Sequence, residues 1–311
     1  MNQHSPSVAQ LSQSDPTGSV DLESPRAVEA AIRAILDGMP GGCPDTTLLT
    51  RAFDDLIRAY RGDYPGLLRC DTLYHDLRHA LETGLTMARL LDGEAMATGP
   101  DGEPHIDRAH ALLGIILALY HDIGLLRHTG EEDIWGASLT PVHEERGVIF
   151  LREYLAGTSL AGLADKSELI MPTKLVFKIP ASWPALHKKL GSMIATADLL
   201  SQMSDRCYIE KCRDFLFLEF SAIGLAGTAD TPYPDRETLL HKTPDFYSGF
   251  IAKRLGDDFG NVRHYIADHF DGIDPYDEAI RRNLAYLGNV LASHDFARLR
   301  RHPKVFVAAE A

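Results

Sequence analysis

"AHALLGIILALYHDIG", residues 109–124, is apolar on nearly every face until it ends in an adjacent histidine and aspartate. A helix apolar all round is a buried helix, so other helices must be wrapped about this one. Gly124 offers a stop. His121 and Asp122 then emerge from the interior as polar groups in need of partners, because an unpaired buried carboxylate is costly. A mutual hydrogen bond or a helix cap would satisfy them, and so would a metal ion.

Three further stretches have the same character. In "LYHDLRHALETG" (73–84), His75 and His79 stand four apart, a spacing that stacks them on one helix face. Leu77, Leu81, Leu85 and Ala88 fall on the opposite face, which leaves the histidines to solvent or to a cleft. In "GSMIATADLLSQM" (191–203), Asp198 lies mid-helix among Met193, Ile194, Leu199 and Leu200, where aspartate is a poor helix former. It needs a buried Arg or Lys, or a metal. "TPVHEERGVIFLREYL" (140–155) starts an amphipathic helix with His143, either a cap or a ligand; Arg146 and Gly147 follow, the glycine permitting close helix approach.

Helical patterns run over 25–38, 46–61, 73–92, 107–121, 141–156, 184–203, 207–222, 244–255, 259–270 and 275–294, separated by Gly/Pro/Asp clusters. Ser24-Pro25 reads as an N-cap followed by proline at the first helical position. The best strand candidate is "KLVFKI" (174–179). Residues 1–24, rich in Ser, Pro, Gln and Asp, read as a disordered leader, and 296–311 as a tail. Between them, 25–295 is expected to be one all-α domain with a metal site between its helices.

Composition narrows the function. The 311 residues are 45% apolar, enough for a sizeable core, and carry a formal charge of −13. Binding of a nucleic-acid polymer, which needs a basic patch, is not expected. An anionic substrate would need a local cation, which a metal supplies. No apolar run approaches the roughly 20 residues of a membrane span, and the first residues lack the charged and apolar regions of a signal peptide. Cys43, Cys70, Cys207 and Cys212 form no C-x-x-C pair and read as free thiols in a reducing cytoplasm. The apparently ionic run Asp205, Arg206, Glu210 and Lys211 reads as a solvated ion-pair face.

Four helices thus each offer a His or Asp where neither core nor surface asks for one. Histidine nitrogens and carboxylates suit Mn²⁺, Zn²⁺ or Fe, or Mg²⁺ with water, and helical bundles build such sites from inward-facing side chains. The order His79, His121-Asp122, Asp198 resembles the H…HD…D pattern of the HD superfamily of metal-dependent phosphohydrolases. "YHDLRHA" (74–80) is similar to the Y-H-N-x-x-H-A signature of cyclic-nucleotide phosphodiesterases, and 197–224 to their stretch from A-D-L to E-F-x-x-Q-G. "HEERGVIFL" (143–151) resembles the H-x-x-x-G-x-x-x-L helix of HD signalling phosphodiesterases.

The resemblance implies an all-α HD domain with His79, His121, Asp122 and Asp198 on a first metal, and Asp122 bridging to a second held by His143. It implies that His75 is the general acid and that Phe250 clamps a base. Asp76 replaces the signature asparagine, Gly124 and Leu125 replace an Asp and a His, and Tyr247 replaces the base-reading glutamine. Arg146 and Gln202 are further candidates to face the substrate, the arginine for its match to a phosphate oxygen. The expected activity is cleavage of a small anionic phosphodiester, a cyclic nucleotide among the candidates, by metal-activated water with His75 protonating the leaving oxygen. The alternatives are a nucleotide phosphomonoesterase of the same superfamily, a mixed-valent di-iron oxygenase, and a catalytically silent regulatory module.

Overall fold

In the structure, a computed structural model, residues 13–39, 42–97 and 106–307 are described. Among them the chain is all-α, with only isolated β-bridges. Helix α1 is Pro25–Gly38, opened by the Ser24 hydroxyl accepting from the Ala27 amide with Pro25 in the first turn, as the sequence predicts. Asp45 caps α2 (Thr46–Arg61), which ends on Gly62 in the left-handed region. Asp76 caps α3 (Leu77–Met96) and Asp107 caps α4 (Arg108–Leu119). Each cap satisfies an amide that the first turn leaves open, worth about 1 kcal/mol. Then come α5 (His143–Ala156), α6 (Ala185–Ser204), α7 over 208–222, α8 (Arg236–Phe246), α9 (Tyr265–His269) and α10 (Pro275–Ser293).

The centre of the fold is α3, which packs against α1, α4, α6 and α9. Leu77, Leu81, Leu85 and Ala88 are fully buried, the leucines contributing about 1.5–3 kcal/mol each. α4 is buried from Ala111 to Leu119, as its all-round apolarity requires. The two helices therefore deliver His79 and His121 to the interior.

Several expectations are corrected. α3 begins at Leu77 rather than at 73, because Asp76 turns its carboxylate onto the His79 amide and ends the extended segment there. The segment 174–179 is loop, and a 3-10 run over Ala161–Thr173 precedes it. The helix expected over 244–255 is instead α8 followed by π turns at Tyr247–Ile251 and Arg254–Asp258. A π turn breaks the 3.6-residue period, so periodicity misplaces it.

The leader expected over 1–24 lies partly outside the described residues, at 1–12. Residues 13–24 are built into the fold: Leu22 is fully buried, and the Asp15 carboxylate pairs with Arg89 at 2.7 Å. The tail expected from 296 also packs. Leu299 is buried and the Phe306 amide donates to Asp76 Oδ2 at 2.6 Å, tying the C-terminal segment to the start of α3. Asp205, Glu210 and Lys211 are buried rather than solvated. Lys211 meets Asp205 at 2.6 Å and Arg78 of α3 approaches Asp205 at 3.6 Å, while Asn283 and Tyr286 of α10 donate to the Asp205 carbonyl and to Glu210, so packing buries the segment and the charges neutralise one another.

Candidate metal centre

Five expected ligands converge from α3, the end of α4, α5 and α6. His79 Nε2 lies 3.1 Å from Asp198 Oδ1 and 3.5 Å from Asp122 Oδ2. His121 Nε2 lies 3.2 Å from Asp122 Oδ2 and 3.6 Å from Asp198 Oδ1. From the other side, His143 Nε2 approaches Asp122 Oδ1 at 3.3 Å.

Proximity here is not pairing. The Nε2 atoms of His79 and His121 and Oδ2 of Asp122 are buried and make no hydrogen bond, an arrangement costly enough to need an explanation. For His121, and for His143 beside it, the other ring nitrogen provides part of it. His121 Nδ1 lies 2.8 Å from the Ala118 carbonyl, and His143 Nδ1 lies 2.7 Å from that of Thr140. A carbonyl only accepts, so each Nδ1 carries the hydrogen, and it is Nε2 that faces inward, free to give up its proton to a cation and present a lone pair. Backbone-anchored imidazoles of this kind are the usual support of metal ligands. His79, His121 and Asp122 form a buried group able to hold a metal ion.

The electrostatics agree. Burial alone would keep the imidazoles neutral. The carboxylates of Asp122 and Asp198 overcome it and hold His121 well above the ordinary histidine range. His143 is raised for the same reason, chiefly by Asp122. Burial opposes charge on Asp122 as well, but His121 and His75 keep it well below the usual carboxylate range. The cluster calls for positive charge, which protons or a cation can supply.

Close backbone contact sets this geometry. Gly124, in the 3-10 turn Ile123–Leu125 directly after the His-Asp pair, lies so near α5 that a Cβ there would be 1.9 Å from the His143 carbonyl oxygen. Only glycine lets the turn that carries Asp122 dock on the helix that carries His143. Gly147 permits the same approach one turn later, facing Ile170 and the His121 carbonyl.

His75 is not on α3, so helical spacing does not place it. It sits just before the Asp76 cap, its ring centroid 5.9 Å from that of His79. Its Nδ1 is 2.6 Å from Glu219 Oε2 on α7, while Glu219 Oε1 accepts from the amides of Leu73 and Tyr74 at 2.7 Å each. Burial would lower the His75 pKa, but Glu219 outweighs it and pushes the value up to about 9. Glu219 is the residue that sequence reasoning missed. It lies in the resembling stretch 197–224, where Glu219-Phe220 stands at the E-F of the pattern, the one signal that could have found it.

Gln202 supports the site from below: its Nε2 donates to Asp198 Oδ1 at 2.9 Å, and the Tyr74 hydroxyl donates to its Oε1 at 3.2 Å. Arg146 does not face the cluster. Its guanidinium binds the carbonyls of Gly124 and Leu126 and both oxygens of Glu131, clamping the turn after the His-Asp pair. The expectation that it holds substrate is corrected on that ground. Tyr247 and Phe250 also miss the site. Both pack half-buried against the core, and Phe250 stacks on Phe246 with centroids 5.4 Å apart. The π turn carries them past the wall, leaving Phe246 and Ile251 to line it.

A cavity of about 380 Å³ opens beside the cluster, with His75, Asp122, His143 and Asp198 at one end. Helices α6, α7 and α8 form one side of it, and the segment 173–176 and the loop residues Leu225 and Tyr233 contribute to the rest. The four cysteines are unpaired, as expected. Among the described residues no helix is long and apolar enough to cross a membrane.

A family model described as Npun_R2479-like matches residues 131–265. The matched span contains His143, Asp198 and Glu219 and most of the cavity wall, but not His79, His121 or Asp122. No curated protein and no solved structure matches the chain. The chain is thus similar over this span to the Npun_R2479-like proteins.

Proposed function

We propose that the protein is a metal-dependent phosphohydrolase of HD type that cleaves a phosphodiester. The observation that supports this reading best is His75: an imidazole beside the ligand cluster but outside it, held through Nδ1 by a buried carboxylate and lining the cavity. With Nδ1 engaged, the proton His75 can exchange is on Nε2. An oriented imidazole of raised basicity is suited to protonating a departing alkoxide.

His79, His121, Asp122 and Asp198 would hold one divalent cation (Mn, Mg, Zn or Fe). Asp122 turns Oδ2 toward His79 and His121 and Oδ1 toward His143, an orientation that suits a bridge to a second ion. When bound, such a cation supplies charge for a phosphate oxygen and brings the pKa of water toward neutrality. Glu219 keeps the His75 ring in register, Gln202 fixes the Asp198 carboxylate, and Tyr74 fixes Gln202.

The test is Asp122→Ala, assayed for metal content by mass spectrometry and for turnover of bis-p-nitrophenyl phosphate with Mn²⁺ or Mg²⁺. Both are expected to be lost together. Wild-type metal content in the variant would remove the ligand assignment; no turnover by the metal-loaded wild type on any phosphodiester would remove the reaction.

A further inference from the structure

We infer that the organic part of the substrate is an apolar hydrocarbon group, aryl or alkyl, and not a nucleoside; this rests on the phosphohydrolase reading for the phosphoryl end alone. The cavity wall carries the argument. Beyond the metal cluster it is built from Leu199, Met203, Leu216, Phe220 and Leu239 on α6, α7 and α8, and Ile251 on the π turn that follows.

Several of the polar groups on that wall are already engaged, although Glu144 Oε2 is buried there without a hydrogen bond. The hydroxyls of Thr140, Thr173 and Thr243 each donate to a carbonyl within their own helical turn. Gln202 is divided between Asp198 and Tyr74. Lys174 is held by both oxygens of Glu145 and by the Pro141 carbonyl. Lys242 donates to the Pro232 carbonyl and lies over the Tyr233 ring. A ribose, a base edge or a second phosphate entering here would exchange water for walls that offer little in return, which is costly.

A second observation points the same way. Of the large apolar side chains left exposed, Leu175, Val176, Leu225 and Phe246 all line this cavity, with Val176 79% exposed. Clustered exposed apolar side chains mark a binding surface where scattered ones do not. As to size, a cavity of about 150 Å³ takes up one benzene ring, so 380 Å³ accommodates two fused rings or a chain of about twelve carbons.

Binding rather than turnover tests the inference. Non-hydrolysable n-alkyl phosphonates, from ethyl to hexadecyl, would be titrated calorimetrically into the full-length protein loaded with Mn²⁺, beside adenosine 5′-monophosphate. Burial of each methylene is expected to lower Kd by about fourfold, until the series levels near dodecyl. The nucleotide should bind no better than ethyl phosphonate. Leu225→Trp, at the partly exposed rim, should bring the plateau to a shorter chain without changing ethyl phosphonate binding. A flat series, or a nucleotide binding more tightly than decyl phosphonate, overturns the inference even where bis-p-nitrophenyl phosphate is cleaved. A chain-length dependence in a protein that cleaves no ester sustains the inference and sinks the hydrolase reading.

Discussion

Replacing Gly124 with alanine tests whether the approach of the 3-10 turn to α5 builds the centre. The added Cβ would lie 1.9 Å from the His143 carbonyl oxygen, 2.7 Å from the Gly147 amide nitrogen and 2.8 Å from the His143 carbonyl carbon. All three are backbone atoms, so no side chain can swing aside. Ordinary contact begins near 3.5 Å, so turn and helix must part by about 1.5 Å. Overpacking of this kind costs about 1–3 kcal/mol, and a backbone obstacle places it at the upper end. For a chain of this size, about 3 kcal/mol corresponds to a Tm lowered by roughly 4–5 °C. Metal ligation tolerates about 0.2 Å. The same displacement, applied to His143 relative to Asp122, should therefore remove the His143 contribution. The assay is thermal melting with metal quantification of the purified variant. Gly147→Ala is the control: its nearest obstacle is the flexible Ile170 Cδ1 at 2.9 Å, and it should lose less than half as much. Gly124→Ala with wild-type Tm and metal content would refute the reasoning.

Three other outcomes are expected. His143→Ala should leave the fold intact and lower the metal stoichiometry by one where two ions bind; unchanged stoichiometry would make His143 a structural residue. Glu219→Gln should retain metal yet lower kcat by about 10-fold or more on an ester with a poor alkoxide leaving group, and much less on a p-nitrophenyl ester, because only the former needs the His75 proton. Equal losses on the two esters would count against His75 as the acid. Glu82→Gln should stabilise the protein increasingly as pH rises. Burial first and Asp205 second push the Glu82 carboxyl from 4.5 up to about 8, so the folded chain keeps a proton that the unfolded chain releases above its ordinary pKa. The stability at this site is therefore complete below about pH 4.5 and declines until pH reaches about 8, by at most about 1.4 kcal/mol per unit. Parallel denaturation midpoints for the two proteins between pH 5 and 8 would contradict this.

The sequence by itself determined the helical class and most of the donor set. Burial follows from periodicity, so the all-apolar run before His121 and the isolated Asp198 were legible as interior, and local chemistry marked them as ligand types. The cap at Ser24 is local too. Tertiary structure decided what lies on the far side of each contact. Glu219 holds His75 across 144 residues of chain, and Phe306 reaches Asp76 across 230; no local pattern carries that information. Arg146 looked like a phosphate ligand because its type suits one, but the carbonyls of the turn beside it claim its donors. Asp205 and Lys211 looked solvated because charge usually is, but α10 packs over their segment and the two charges pair with each other. The π turn that begins at Tyr247 breaks the 3.6-residue period, so Phe250 stacks on Phe246 while Ile251 lines the wall. A residue's own neighbours in sequence set whether it faces inward; which groups meet there depends on how the helices pack.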